Sequence, residues 1–269
     1  PPVGAADRVP ERTGVTDARE QHREPDERTD RHQQLTRLDA VEPVQLGDVG
    51  VGDGCRVLTE VLEVLDRILP VYAEVLGRLH VAGAQWVQLD EPMLVSDVDH
   101  ARRSYSRAYE VLRAAAPGLK LLVATYFGGL GVNLPLAASL HVDGLHIDLA
   151  RAPEELDAVV RALPRERVLS MGVIDGRNIW RADLDRALAT VRRAVEARGS
   201  DNVWIGPSCS LLHLPVDLSI ERKLDPEIRS WLAFGTEKLH EIAALHAAID
   251  MTGASVATAP AFVESRNAI

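Results

Sequence analysis

Carboxylates, a histidine, an arginine and a cysteine recur in this sequence directly after short apolar runs. In a parallel α/β protein, those are the positions from which side chains do chemistry. Asp90 and Glu91 follow Trp86-Val87-Gln88-Leu89, and Pro92 holds Glu91 extended, out of the next helix. Either carboxylate can bind a polar group, act as acid or base, or cap the backbone that follows. His146 and Asp148 are one residue apart on a strand, so both leave the same face about 6–7 Å apart. Such a pair can hold a metal or sit as a satisfied hydrogen-bonded pair. The run at 173–178 offers the Asp175 carboxylate, a tight turn at Gly176, a forked donor in Arg177 and a backbone-bonding amide in Asn178. Its plainer reading is a loop clamped to a neighbouring carboxylate. Cys209 follows the last run; as a thiolate it binds metal or attacks an electrophile, and as a buried thiol it is a small hydrophobe. His213, four residues on, adds too little to make a metal site.

These residues need strands to carry them. Apolar runs occur at 84–90, 119–125, 142–149, 167–173 and 202–207, with helical patterns at 98–116, 153–163, 183–198 and 226–249 between and after them. Before the first run, Leu62, Leu65, Leu69, Val75, Leu76 and Leu79 recur at helical spacing. Pro70 should kink or split that helix, and Gly83 is a candidate C-cap. Asp183 and Gly199 bracket 183–198 as N-cap and C-cap candidates. Strands alternating with helices mean βαβ units and a parallel sheet. About five βα units after a leading helix fit an open doubly wound sheet or an incomplete (βα)8 TIM-type barrel equally. No GxGxxG or GxxxxGK[ST] loop follows any strand, which weakens a nucleotide-binding reading.

The chain has 269 residues, 46% of them hydrophobic and 26% charged, enough for one large domain with a normal core. A net charge of −10 without a basic cluster speaks against nucleic-acid and anionic-membrane partners. The uncharged stretch 121–140 has membrane-spanning length, but its glycines, Asn133 and Pro135 make it a strand, a turn and a short helix. Two cysteines and no secretory leader suggest a reducing, cytoplasmic setting. Residues 1–55 stand apart: the first fifty contain no aromatic side chain and are dense in Arg, Asp, Glu and Gln. They read as a disordered extension or an unreliable start, and Pro1 in place of Met suggests a fragment. The expected division is 1–55, a partial barrel over 56–250, and a linker or tail over 251–269.

Six motifs then come in order: VQLDEP, LLVATYFGGL, LHIDLARAPEEL, LSMGVIDGRNIWR, VWIGPSCSLLHLPVDL and KLDPEIRSWLAFGTEKLHEI. Together they resemble the N-terminal domain of cobalamin-independent methionine synthase, over about residues 65–245; residues 1 to about 55 do not resemble the family's start. The resemblance implies two face-to-face (βα)8 barrels related by duplication. The C-terminal barrel would hold zinc and bind homocysteine and the head of 5-methyltetrahydropteroyltriglutamate. Zinc there stabilises the homocysteine thiolate that takes the N5-methyl group. The N-terminal barrel would support that partner and touch the folate tail, although the basic residues for tail contact are not found in this sequence.

Duplication also implies where a zinc set would fall here. The His-x-Cys pair falls near Thr125-Tyr126-Phe127, where neither ligand is present. The zinc Glu falls on Asp148, the catalytic His on Arg177 and the last Cys on Cys209, leaving Asp148 and Cys209 as vestigial ligand positions. Two ligands of four make no tetrahedral site, so no zinc is expected in this chain. Asp90 matches the LDEP of the catalytic barrel, where the Asp binds the folate head; here its role should be structural. The expectation is therefore a fragment of a methyltransferase that is inactive alone, lacking its C-terminal catalytic barrel. Two alternatives remain at this point: a scaffold module docking to a separately encoded catalytic barrel, and an independent TIM-barrel enzyme using Asp90, Asp148 and Arg177 on a small anionic substrate. Five strands of eight would also leave two open edges, predicting marginal stability without a partner segment.

Overall fold

Near-continuous apolar strands separated by amphipathic helices can bury both strand faces only in a parallel sheet with helices packed outside it. The computed structural model describes residues 54–269. The expectation for residues 1–55 lies outside the described residues, except that the first helix opens at Gly54. Helix α1 (Gly54–Val81) leads into β1 (Trp86–Asp90), α2 (Arg102–Ala115), β2 (Lys120–Ala124), α3 (Leu134–Ser139) and β3 (Gly144–Asp148). Next come α4 (Leu156–Ala162), β4 (Val168–Ile174), α5 (Leu184–Arg198) and β5 (Val203–Pro207). Helices α6 (Pro226–Trp231), α7 (Gly235–Ala248), α8 (Gly253–Thr258) and α9 (Pro260–Ala268) complete the described chain. None of the described helices is long and apolar enough to cross a membrane.

The five strands pair in parallel in the order β1-β2-β3-β4-β5. Outward side chains Leu121, Val123, Leu145, Ile147, Leu169 and Met171 are buried and pack with Leu112, Leu156, Val159 and Val191 of the helices. Each such aliphatic side chain contributes roughly 1.5–3 kcal/mol by leaving water. The opposite face carries Trp86, Leu122, His146, Ser170 and Trp204. Trp86 lies on β1 and Trp204 on β5, at the two ends of the strand order, yet their rings stand 4.7 Å apart, edge to face. A flat sheet cannot bring its outer strands together. The strands therefore curve into an arc of a barrel, which decides between the two architectures the sequence allows.

Three sequence expectations change. Helix α1 runs unbroken through Pro70; Pro70 and Asp66 are exposed, so water can satisfy the carbonyl that loses its helical donor. The expected helix at 226–249 is two helices. Between them the backbone of Leu232 and Ala233 pairs with the β4–α5 loop, Ala233 N–H donating to Ile179 O at 2.8 Å and Arg181 N–H to Trp231 O at 2.8 Å. Phe234 is buried with Leu218 and Leu232, and that burial overrides local helical propensity. Residues 251–269, read from sequence as linker or tail, form α8 and α9, with Val256 and Phe262 buried against α5 and α7.

Helix α5 follows the sequence reading closely. Asp183 accepts from Arg186 N–H at 3.0 Å, and Gly199 closes the helix at φ +86, a conformation that costs glycine little. Asp183→Ala should lower unfolding free energy by about 1 kcal/mol, while Asp183→Ser should restore most of it. Urea denaturation followed by circular dichroism reads both; equal stabilities for Ala and Ser would remove the cap from the account.

Candidate functional site

Parallel strands point their C-terminal ends the same way, so one face of the arc collects the residues singled out above. Buried Asp148, at the end of β3, is the hub of that face. One carboxylate oxygen accepts from Ala150 and Arg151 N–H at 3.1 and 3.0 Å, and the other accepts from Phe127 N–H at 3.0 Å. The Arg151 guanidinium lies 3.9 Å away. Burial pushes the Asp148 carboxyl up, while the N–H groups of Arg151 and Phe127 pull it back.

Phe127 is held by that bond at φ +77, the left-handed region that costs an L-residue roughly 1–2 kcal/mol. Its ring packs edge to face on Tyr126 at 4.7 Å and on His213 at 5.7 Å. The Arg177 guanidinium lies over the same ring, 4.6 Å from its centre. The forked donor is thus stacked rather than paired with a carboxylate. Asp175 makes the clamp instead, accepting from Arg177 N–H and from the Asn178 amide at 2.8 Å each. Asn178 in turn accepts from Trp180 N–H at 3.1 Å.

Gly176 lies in a bend and also makes room for its neighbour. A Cβ there would stand 2.7 Å from Cys209 O and 3.1 Å from its sulfur, so only glycine permits this approach. Cys209 is buried, and burial pushes its thiol up, opposed by Ser208 and reinforced by Asp148 and Asp175. His146 and Asp148 share a face but do not bond to each other. His146 Nδ1 meets Ser170 Oγ at 2.9 Å, and burial lowers the imidazole pKa. Strand alternation fixed their direction, but nearer partners took their hydrogen bonds.

The first strand end is committed to packing as well. The Tyr109 hydroxyl, from α2, donates to Glu91 at 2.7 Å. Burial raises the Glu91 carboxyl, with Tyr109 and Tyr105 opposing. Tyr105 itself is pushed up to about 12, by burial first and then by Glu91. Exposed Asp90 accepts from Gln88 at 2.7 Å.

Sequence reasoning missed a second polar centre. Lys238 and Glu241 of α7 are buried 3.6 Å apart, Lys238 donating to Trp180 O and Glu241 accepting from Ala182 N–H at 2.9 Å. Burial lowers Lys238 and raises Glu241. Lys238 lines a cleft of about 250 Å³ with Asp175, Asn178, Trp180, Arg181 and Arg186. A Lys-x-x-Glu spacing on a helix carries no sequence sign of burial; only the tertiary fold reveals it.

The donor set does not fit zinc. Both Asp148 oxygens are engaged by backbone N–H groups. Among the described residues, no three His, Cys, Asp or Glu side chains come together as a metal would need.

Comparison with known proteins adds the family. The profile of "Cobalamin-independent synthase, N-terminal domain" matches residues 9–199. A 5-methyltetrahydropteroyltriglutamate–homocysteine methyltransferase from Nitrobacter winogradskyi is 52% identical over 221 residues, 81% of this chain and 29% of its own length. The protein of that name from Caulobacter vibrioides is 53% identical over 199 residues, 74% of this chain and 26% of its own. A solved B12-independent methionine synthase from Shewanella sp. W3-18-1, in complex with selenomethionine, aligns with a TM-score of 0.44 and 16% identity, over 65% of this chain and 53% of that one. This chain thus spans less than a third of the curated relatives' length. The profile match opens at residue 9, which corrects the expectation that residues 1 to about 55 do not resemble the family's start. Their dense charge conceals any apolar period that would have shown the kinship.

Two variants test this account of the strand ends. Asp148→Ala leaves the N–H groups of Phe127, Ala150 and Arg151 without their acceptor and should cost roughly 3 kcal/mol. An unchanged melting temperature would contradict the structural role of Asp148. Glu91 holds its proton to higher pH folded than unfolded, so wild-type stability should fall as pH rises through the window just above 4.5. Glu91→Gln removes that dependence, and its stability relative to wild type should improve between about pH 4 and about pH 7. A difference constant across pH would refute the burial effect.

Proposed function

The chain belongs to the cobalamin-independent synthase family through its N-terminal domain, and we propose that it is the supporting barrel segment of a methionine synthase rather than its catalytic part. The whole enzyme would move the N5-methyl group of 5-methyltetrahydropteroyltriglutamate to homocysteine, in the cytoplasm, using zinc held by a C-terminal barrel outside this chain. Zinc would supply thiolate activation there. The residues here would hold the arc together and present its strand-end loops to that barrel.

The engagement of Asp148 by three backbone N–H groups carries this reading. A carboxylate used in that way spends most of its acceptor capacity on the backbone, and Arg177, at the position of the family's catalytic His, stacks on Phe127. The loops beyond the strand ends support a docking role. Met93, Phe127, Val132, Trp180, Leu212 and Val216 are all exposed there, a run of apolar side chains suited to protein contact. The candidate strand-end residues Asp90, Glu91, Asp148, Asp175, Arg177 and Asn178 therefore act as positioning groups. The same reading covers a separately encoded catalytic barrel, because the contact surface would be the same.

A methyl-transfer assay with homocysteine and 5-methyltetrahydropteroyltriglutamate tests the proposal. The purified chain should give no methionine alone. Added to a separately produced, zinc-loaded C-terminal barrel, it should raise that barrel's turnover and co-elute with it. Turnover by the chain alone, or no effect on the added barrel, would overturn the proposal.

A further inference from the structure

The end of α5 buries a cation without a counter-charge. Arg198 is only 6% exposed. Its Nη1 donates to Leu163 O at 2.9 Å, and its Nη2 to Pro164 O and Arg167 O at 2.7 Å each. Its Nε, also buried, has no hydrogen-bond partner. Carbonyl dipoles satisfy the terminal nitrogens but do not neutralise the charge, and a buried guanidinium without an anion is expensive to hold.

Two more guanidiniums share the place. Arg161, in the last turn of α4, and Arg165, in the turn before β4, line one cavity of about 490 Å³ with Arg198 and the apolar Val160, Leu163 and Ala197. Among the described residues, none of these three arginines makes an ion pair. Asp157, one turn before Arg161 on α4, pairs with Arg193 instead, at 2.6 Å. Burial first, and then the charge of Arg165, holds Arg198 below its ordinary pKa, with Glu166 opposing. Three like charges are thus gathered in one place on a chain of net charge −10. The carbonyls at the end of α4, which would repel an anion, are already turned to Arg198. Forked guanidiniums match the oxygens of an oxyanion, and three of them exceed what the two oxygens of a carboxylate can serve.

We propose that the cavity between the ends of α4 and α5 binds a phosphate group, free or carried by a small molecule, with Arg161 and Arg165 as its forked donors and Arg198 supplying charge from the buried side. The cavity lies beside the N-terminal end of β4, away from the C-terminal strand ends that the proposed function requires. The two readings therefore stand or fall separately.

The melting temperature of the full chain, followed by circular dichroism, should rise saturably with millimolar inorganic phosphate or glycerol 3-phosphate, and not with sodium chloride at matched ionic strength. A stronger response to phosphate supports the free ion as ligand; an equal or stronger response to the ester supports a carried group. Arg161→Ala and Arg165→Ala, both at exposed positions, should leave the phosphate-free melting temperature unchanged and weaken binding roughly tenfold each. Glu166→Gln, which removes the opposing carboxylate, should tighten binding about threefold and decides the matter if an arginine variant loses its fold. No response to either probe, a rise equalled by chloride, or an affinity unmoved by these substitutions would overturn the proposal.

Discussion

The strand-end face depends on one buried carboxylate. Asp148 gathers backbone donors from its own loop and from the loop after β2, so two neighbouring strand ends are locked together at a single side chain. Phe127 keeps a left-handed backbone because that carboxylate receives its N–H, and the aromatic and guanidinium contacts around Phe127 follow from its position. A group used in this way fixes geometry. Its hydrogen-bonding capacity is turned toward the backbone of two loops.

Much of the architecture was legible in sequence because it rests on short-range rules. Leu121 to Ala124 and Leu145 to Asp148 are apolar enough to need cover on both faces, so strands and sheet type followed. Asp183 and Gly199 marked α5 because capping is decided within a few residues. What could not be read were decisions taken across long separations. Leu232 and Ala233 leave the helical pattern because they pair with Ile179 to Arg181, about fifty positions earlier. Tyr109 meets Glu91, and Ser170 meets His146, only after helix and strand have packed. The carboxylates of the site were found by their place after strands, but their partners were invisible.

The polar groups inside this fold also show how burial is offset. Arg198, at the end of α5, donates to the carbonyls of Leu163, Pro164 and Arg167, tying the turn before β4 to the helix after it. Lys238 and Glu241 do the same at the other end, linking α7 to the loop that leads into α5. Each gives a buried polar head backbone partners, the condition under which such burial is tolerated. These ties lie at opposite ends of α5, so that helix is pinned at both ends by long side chains from the interior.

The contact between Trp86 and Trp204 gives the arc an optical signature. Two indoles this close couple electronically, and they belong to the outermost strands rather than to neighbours. Any spreading of the sheet would separate the rings before it disturbed a single strand pairing. The protein thus carries an intrinsic gauge of its own curvature, readable in its aromatic circular dichroism and fluorescence without a label.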